Sequence, residues 1–367
     1  MPLRRRLARV LSGRWRLQTI AGLALLPLSV LPLYLFLTET ETGRLIVLRA
    51  RYQVSTPGTP GLDARESALA RSYRASPLRG VPVLVYHGIG QEDTSEPGPE
   101  TMVVSRERFA EHMRGLRAAG YSAITADDLA DYLASGDARA LPARPILITF
   151  DDGRTDAMLQ ADPILEDTGM RATMFVIGEQ GDRATIFHED WDELAEHATS
   201  GRWELENHTN DLHDCSNAPG VTALVDRRAG EPLDRYVERI AADLDEGAAK
   251  LREHGAGRLT SFAYPCGDWG QRADPAVVDA LRQVLEARFE IAFDQETPSR
   301  WRPALPGDDS MHVHRLVVGR WSLVELLRRL DQAARRSADL ARTRLDGASS
   351  QSLRESSWTT PSELARP

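Results

Sequence analysis

The feature that most constrains the fold of this chain is an alternation of short apolar segments with segments of helical periodicity. The short segments have the composition of buried strands and lie at residues 81–87, 145–150, 172–177, 203–206, 259–264, 290–293 and 312–318. Apolar residues recur at helical spacing in 109–119 and, after the candidate cap Thr125, in 126–134. Strands alternating with helices predict an α/β fold with a parallel sheet, and this many repeats favours a barrel over a small open sheet.

The composition is that of a globular protein without a basic surface for nucleic acid. The chain has 367 residues, of which 42% are hydrophobic and 27% are charged. This is enough for one domain of roughly 200–250 residues with appendages. The net charge is −9, and no stripe of Lys and Arg is interleaved with aromatic residues, so the sequence argues against a nucleic-acid partner.

The N-terminus has the pattern of a membrane anchor. Six arginines between residues 4 and 16 precede an uncharged stretch at 17–38. Its apolar core exceeds the roughly 7–15 residues of a cleavable signal, which predicts an uncleaved transmembrane helix at 19–38. Residues 1–18 are then a basic cytoplasmic segment of a single-pass cell-membrane protein whose remaining chain is extracytoplasmic. Cleavage of the anchor stays open as an alternative.

The rest of the chain divides into three predicted segments. Residues 39–79 are polar and Arg-rich with a Pro/Gly patch at 55–61, which indicates an extracytoplasmic linker. Residues 80–335 carry the strand and helix pattern and form the predicted domain. Residues 336–367 comprise the end of a helix that begins at Leu323 and a Ser/Thr-rich tail that we expect to be disordered.

Two adjacent carboxylates, Asp151 and Asp152, end the apolar strand in Thr149-Phe-Asp-Asp-Gly153. Successive side chains of a strand alternate sides, so one carboxylate can bind a metal while its neighbour stays free as a base. Gly153 permits a sharp turn after them. A solvated Asp-Asp-Gly turn is the alternative interpretation.

Two histidines, His208 and His213, follow another predicted strand and are five residues apart. A carboxylate with two imidazoles is a usual ligand set of a catalytic zinc, which leaves further positions open for water and substrate. Five residues correspond to about 140° on an ideal helix, so the rings converge only from a loop or an irregular turn. Core or surface histidines without a ligand role are the alternative.

These motifs and Phe262-Ala-Tyr-Pro-Cys-Gly267 resemble the first three motifs of the NodB-homology polysaccharide deacetylases, carbohydrate esterase family 4, over roughly residues 80–320. The histidine spacing and Val83-Leu-Val-Tyr-His-Gly88 are similar to the branch that deacetylates poly-β-1,6-N-acetylglucosamine, in which the motif order is permuted. The resemblance implies a distorted (β/α) barrel of the NodB-homology type.

The resemblance also implies a role for each matching residue. Asp152, His208 and His213 are the implied metal ligands, Asp151 the general base and His87 the general acid. Zinc is the expected ion because it activates water at neutral pH, although Co²⁺, Ni²⁺ or Fe²⁺ suit the same ligands.

The third motif is implied to form the oxyanion loop. The backbone N–H of Cys266 is the implied donor to the oxyanion, Pro265 stiffens the loop and Tyr264 lines the sugar pocket. A strand end with a Pro-Gly turn is the alternative interpretation of this motif.

The sequence departs from the family pattern at two places. Ala263 stands where the main branch carries an arginine that orients the base, and Arg315 is our candidate substitute, with an outward-facing edge-strand arginine as the alternative. Cys266 replaces the usual aromatic residue. Cys215 and Cys266 either pair across the mouth of the site or are ordinary thiols.

The sequence thus predicts a metal-dependent hydrolase that removes acetyl from the N-acetyl groups of an extracellular glucosamine-containing glycan. Its predicted partners are this glycan and the membrane, and protein partners stay unknown. A deacetylase of peptidoglycan or another wall glycan, or an O-acetyl esterase, is an alternative of the same chemistry. A catalytically silent, membrane-tethered glycan-binding module is a second alternative, against which the presence of the full set of expected catalytic and ligand residues argues.

Overall fold

The computed structural model describes residues 33–54, 59–75, 80–90, 103–215, 221–296 and 299–336. The chain divides into two compact units, Met1–Pro57 and Gly58–Pro367. In the first unit, residues 33–39 are helical and helix α1 spans Glu41–Val54. All further elements belong to the second unit.

The predicted membrane anchor is only marginally covered by the described residues. Among the helices of these residues, none combines the length and the apolar character that a membrane span requires. Most of the predicted span at 19–38, namely residues 19–32, lies outside the described residues. The anchor and the location of the domain therefore stay predictions.

The second unit consists of parallel strands that alternate with helices along the chain. The strands are β1 (Val83–Tyr86), β2 (Gly88–Ile89), β3 (Val103–Val104), β4 (Ser122–Ile124), β5 (Pro145–Phe150), β6 (Ala172–Val176), β7 (Trp203–Asn207), β8 (Ser261–Ala263), β9 (Ile291–Glu296) and β10 (Val313–Val317). The helices are α2 (Ala64–Ser72), α3 (Arg106–Ala118), α4 (Ala126–Ser135), α5 (Thr155–Thr168), α6 (Trp191–Thr199), α7 (Leu233–Glu253), α8 (Pro275–Glu286) and α9 (323–336).

The strands close into a parallel barrel, which confirms the barrel part of the predicted fold class. Their order is β1-β10-β9-β8-β7-β6-β5, and β1 also pairs with β5. Leu84 of β1 is in register with Leu316 on one side and with Ile148 on the other, so the first strand closes the ring between the last strand and β5. β4 pairs with the first half of β5, and β2 and β3 form a separate short pair.

The barrel interior is filled by every second side chain of the strands. Val83, Leu147, Phe175 and Phe293 come from four strands and meet in one buried cluster. Helix α4 adds apolar side chains to this cluster and lies against the end of the barrel at which the strands begin. This plug leaves the opposite end, where the strands finish, for polar residues.

The compact unit begins earlier than the predicted boundary at residue 80. Helix α2 starts in a capping box in which the side chain of Asp63 accepts from the N–H of Glu66 and the Glu66 carboxylate accepts from the N–H of Asp63. Ala70 is fully buried against the outer helices, and the Nε of Arg74 donates to the carbonyl of Ala118 at 2.7 Å. Part of the predicted linker thus packs on the second unit through α2, whose Ala70 is buried there.

The predicted helices are present with shifted bounds. Thr125 caps α4 as expected, since its side chain accepts from the N–H of Asp128. Helix α3 begins at Arg106 rather than at residue 109, because the Ser105 hydroxyl already accepts from the N–H of Arg108. Of the helix predicted from Leu323 to about residue 345, residues 323–336 are described and helical.

Candidate active site

Polar side chains gather at the end of the barrel where the parallel strands finish. His87 follows β1, Asp151 and Asp152 follow β5, and His208 follows β7. Arg315 lies within β10, which neighbours β1. Because the carboxyl ends of parallel strands meet at one end of a barrel, residues distant in sequence face one site there.

Asp151 is held by a buried ion pair with Arg315. The Nη1 and Nη2 groups of Arg315 donate to Oδ1 and Oδ2 of Asp151 at 2.6 and 2.8 Å. Asp151 is 1% exposed and Arg315 is fully buried, so the alternative of an outward-facing arginine is wrong. Arg315 also donates to the hydroxyl of Thr149 and to the carbonyl of Asp294, both at 3.3 Å, which fixes its orientation.

This ion pair keeps Asp151 ionised. Burial alone raises the pKa of a carboxyl group, but the charge and the hydrogen bonds of Arg315 outweigh this effect and hold the pKa of Asp151 far below its usual range. Gln295 of β9 supplies a further, long hydrogen bond from Nε2 to Oδ2 of Asp151 at 3.4 Å. No sequence pattern had indicated Gln295, which depends on the register of β9 and β10.

Asp152 points toward the two histidines. Its Oδ1 lies 3.3 Å from Nε2 of His213 and 3.7 Å from Nε2 of His208. The backbone of Asp152 has φ +77°, in the left-handed region that non-glycine residues seldom adopt. This conformation occurs where the side chains of Asp151 and Asp152 turn toward different partners.

The two histidines converge from a loop, as their spacing required. Their Nε2 atoms are 3.1 Å apart, and Thr209 between them has φ +73°. The Nδ1 of His208 lies 2.7 Å from the carbonyl oxygen of Ala263, so Nδ1 carries the hydrogen and Nε2 presents its lone pair to the site. Burial is the main reason that the pKa of His208 falls to about 3.

Asp152, His208 and His213 fit a metal ion. One ligand atom from each lies within 4.8 Å of the others. Burial also lowers the pKa of His213, so both imidazoles are neutral at pH 7, and burial raises the pKa of Asp152 although the charges of Arg154 and Arg315 partly offset this effect. A carboxylate with two neutral imidazoles and a fixed tautomer is a donor set for a divalent transition metal.

His87 lies on the other side of Asp151. It is 5% exposed, and its Nε2 is 3.7 Å from Oδ2 of Asp151. Burial lowers the pKa of His87, while the charges of Asp151 and Asp152 partly offset this effect. The first strand thus brings a titratable ring beside the carboxylate of β5, although 64 residues (151 − 87) separate them in sequence.

Cys215 and Cys266 form a disulfide, which settles the alternative left open by the sequence. Their Cα atoms are 6.6 Å apart. Cys215 is two residues beyond His213, and Cys266 lies in the short helical turn Pro265–Gly267 with φ +53°. The bond therefore ties the loop of one candidate metal ligand to the loop that carries the expected oxyanion donor.

Two buried side chains support this turn, and one of them, Tyr264, differs from its expected role. Tyr264 does not line a sugar pocket; it is 2% exposed, packs against Phe262 and donates its hydroxyl to the carbonyl of Met311 at 3.1 Å. Asp268, which follows the turn, is 4% exposed and accepts from the N–H and the hydroxyl of Thr222. Both side chains stabilise the loop from beneath.

An open cavity adjoins the histidine pair. It has a volume of about 520 Å³ and is lined by Asp152, Ile177, Gln180, His188, Asp211, His213, Asp214 and Cys215. Burial and the charge of Arg154 lower the pKa of His188 to about 4, so this ring is neutral at pH 7. His188 and Gln180 line this cavity and are therefore candidates for substrate contacts. The sequence did not indicate them because their loops carry no recognisable motif.

Loss of the disulfide is expected to lower both stability and metal affinity. In the chain-entropy model a bond between residues 51 positions apart contributes about 4 kcal/mol. We expect the double variant Cys215→Ser/Cys266→Ser to lose about 2–4 kcal/mol of unfolding free energy in urea, and to bind Zn²⁺ more weakly because the His213 loop is released. Dithiothreitol should reproduce the loss in the wild type and leave the double variant unchanged; equal stability in all four samples would contradict the prediction.

Part of the chain that carries this geometry matches a known protein family. Residues 138–284 match the family described as polysaccharide deacetylase. That range contains Asp151, Asp152, His208 and His213 but neither His87 nor Arg315. The barrel closure therefore supplies two residues of the site from outside the matched range.

Individual relatives agree with this match. A putative polysaccharide deacetylase of Bacillus subtilis, YxkH, is 33% identical over 132 residues, which are 36% of this chain and 43% of that protein. This chain thus spans less than half the length of that relative. A poly-β-1,6-N-acetyl-D-glucosamine N-deacetylase of Staphylococcus aureus is 25% identical over 233 residues, which are 62% of this chain and 72% of the relative.

Solved structures share the architecture. IcaB from Ammonifex degensii is 27% identical with a TM-score of 0.53, over 70% of this chain and 97% of that one. The Streptococcus pyogenes deacetylase PplD has a TM-score of 0.55 over 69% of this chain and 99% of that one, and at 15% identity it supports the fold alone. Residues 138–284 thus match the polysaccharide deacetylase family, and the barrel is similar to that of IcaB.

Proposed function

We propose that this chain hydrolyses the N-acetyl groups of an extracellular N-acetylglucosamine polymer. The observation that carries the proposal is that two adjacent carboxylates contact different partners. Asp151 is bound by Arg315, whereas Asp152 faces His208 and His213. Adjacent acids with separate partners are what a reaction needs when one group must hold an ion and the other must accept a proton.

Asp152, His208 and His213 would hold the ion, and Zn²⁺ is the expected one, with Co²⁺, Ni²⁺ or Fe²⁺ also suited to these ligands. When bound, such an ion lowers the pKa of water and polarises the acetamide carbonyl. The support for this assignment is the convergence of the three ligand atoms within 4.8 Å and the fixed tautomer of His208.

Asp151 is the proposed general base. Its carboxylate stays ionised because Arg315 lowers its pKa, and the bidentate contact fixes the direction of its lone pairs. The remaining lone pairs are available to accept a proton from the attacking water. Arg315 is the proposed positioning residue, since it holds the base and does not touch the substrate.

His87 is the proposed general acid. The 3.7 Å between its Nε2 and Oδ2 of Asp151 lets the proton taken from water be returned through His87 to the leaving nitrogen. The lowered pKa of His87 means that the ring is mainly neutral at pH 7 before it receives this proton. The hydroxyl of the water joins the acyl carbon, the C–N bond breaks, and acetate and a free amine result.

The oxyanion that forms on the acetyl group needs a hydrogen-bond donor, and the backbone N–H of Cys266 is the proposed one. The support is local rigidity. Pro265 begins the turn, Cys266 has a left-handed backbone, and the disulfide to Cys215 restrains the loop. A donor fixed before the reaction stabilises the developing charge without reorganisation.

Poly-β-1,6-N-acetylglucosamine is the proposed polymer, on the strength of the Staphylococcus aureus relative and of the permuted position of His87. The proposed location is outside the cytoplasm. It is supported by the disulfide, a bond that persists in oxidising compartments, and by the basic and apolar pattern of residues 4–38.

The proposal is tested by acetate release from β-1,6-linked N-acetylglucosamine oligomers and from wall-glycan fragments. We expect the full chain to release acetate from the β-1,6 oligomers, to lose this activity on chelation and to regain it with Zn²⁺. Asp151→Asn should lower kcat/KM by roughly 10²–10⁴-fold. Asp162→Asn, which breaks an ion pair with Arg202 outside the site, is the matched control. Release from wall glycan alone would change the polymer, and no release with metal bound would refute the activity.

A further inference from the structure

A second group of acids lies at the opposite end of the barrel from the active site. Carboxylate oxygens of Asp127, Glu204 and Glu206 are within 4.8 Å of one another. Glu204 and Glu206 are alternate residues of β7 and share its inner face, and Asp127 lies in the first turn of α4. The group therefore joins a barrel strand to the helix that plugs the barrel.

The partners of these carboxylates are neutral. Glu206 is fully buried, and it accepts from the backbone N–H groups of Thr260 at 3.3 Å and Ser261 at 3.0 Å. The hydroxyl of Thr260 donates to Oδ1 of Asp127 at 2.6 Å. Each bond uses one lone pair of the accepting oxygen and leaves another free.

Glu204 also has only uncharged donors. Its oxygens accept from the N–H of Ala126 at 2.7 Å, from the N–H of Asp127 at 3.3 Å and from the hydroxyl of Thr173 at 2.5 Å. Within the described part of the chain, no Lys, Arg or His forms an ion pair with any of the three acids. Carboxylates this close together, one of them fully buried, repel each other unless a cation lies between them or they share a proton.

An independent observation indicates where that charge would lie. The hydroxyl oxygen of Ser261 is buried and has no hydrogen-bond partner among the described residues. Ser261 precedes Ala263 by two positions in β8, and Ala263 belongs to the interior cluster, so the hydroxyl also points into the barrel, on the side of Glu206. A buried hydroxyl beside three carboxylates is an unused oxygen ligand.

We propose that Asp127, Glu204, Glu206 and Ser261 bind a hard divalent cation, of the Ca²⁺ or Mg²⁺ class, that fastens α4 to the barrel. Oxygen-only ligands select such ions, whereas the histidines of the active site select transition metals. Asp127 and Glu204 are only partly buried, which gives the ion a route from solvent. The inference is independent of the proposed deacetylation, because it uses no residue of the active site.

The test is binding of Ca²⁺ to the zinc-free full chain. Calorimetry measures the binding, and thermal unfolding measures its effect on stability. We expect one Ca²⁺ per chain and, at saturation, a rise in Tm of about 5 °C. Glu206→Gln and Asp127→Asn should each weaken Ca²⁺ binding by at least about tenfold. The His208→Ala variant should bind Ca²⁺ as the wild type does, because His208 belongs to the active site and not to this acidic cluster.

Asp268→Asn is the matched control, since it removes another buried carboxylate that accepts from backbone and lies outside the cluster. It should retain the Ca²⁺ response. Asp127 is partly exposed, so Asp127→Asn keeps the test valid if Glu206→Gln fails to fold. Absence of binding at millimolar Ca²⁺ and Mg²⁺, or binding that survives both variants, would overturn the proposal. A Glu206→Gln protein that exceeds the wild type in Tm with Ca²⁺ present would also overturn it, in favour of a shared proton.

Discussion

Replacement of Arg315 by Met is expected to destabilise the domain by about 3–5 kcal/mol, because it leaves Asp151 as a buried charge without its cationic partner. The same change should lower kcat/KM for deacetylation by roughly 10²–10⁴-fold, since the base loses the contact that orients it. Urea unfolding and acetate release measure the two effects separately.

The stability loss should depend on pH in a defined direction. Arg315 lowers the pKa of Asp151, so the stability that the pair provides is present above the pKa of an unfolded aspartate, about 3.9, and is lost as the pH falls through the folded value. The difference between wild type and Arg315→Met is therefore largest near neutral pH. It should shrink as the pH falls toward 4, because protonation removes the unpaired charge in the variant.

Arg202→Met is the matched control for this experiment. Arg202 forms a comparable two-pronged ion pair with Asp162, at 2.9 Å for both bonds, away from the site. Because that pair is partly exposed, its loss should cost less stability and leave kcat/KM unchanged. Full activity in Arg315→Met, or an equal activity loss in Arg202→Met, would show that Arg315 does not position the base.

Replacement of His208 by Ala is expected to abolish both metal retention and deacetylation. His208 is one of the three converging ligands, and its Nε2 is held in place by the bond from Nδ1 to Ala263. Loss of the ion removes several kcal/mol of transition-state stabilisation, which corresponds to roughly 10³-fold or more in kcat/KM. Metal analysis after gel filtration and acetate release are the measurements.

His197→Gln separates this effect from the loss of any histidine. His197 belongs to α6, is half-buried next to Asp162 and lies outside the site. The His197→Gln variant should keep both the metal and the deacetylase activity. A His208→Ala protein that still carries one equivalent of Zn²⁺ and still releases acetate would exclude the proposed ligand set.

The sequence predicted those parts of the site that are local in the chain. Asp151 and Asp152 follow a wholly buried strand, and this pattern predicts both the strand and its polar end. His208 and His213 were recognisable because their short spacing is itself the signal. The capping pattern of α4 was equally local, since Thr125 and Asp128 are three residues apart.

The sequence did not determine features that depend on packing between distant segments. Arg315 was a candidate only, because its contact with Asp151 requires the register of β10 beside β1 and β5. Tyr264 was misassigned because its ring turns outward beneath the loop, and the short strand β8 gives too little periodicity to predict its direction. The packing of α2 escaped notice because its apolar face is narrow.

Because β10 closes the barrel between β9 and β1, the proposed metal ligands and the oriented base become complete at different times during synthesis. The proposed metal ligands are complete once residue 213 has been made, whereas Arg315 emerges about a hundred residues later and pairs with Asp151 across a separation of 164 positions. Contacts of such long range form late, because the intervening chain must first be ordered. A chain released before β10 would thus present ligands for metal but no oriented base. Metal content alone would therefore be a poor indicator of how much of a preparation has reached its active form.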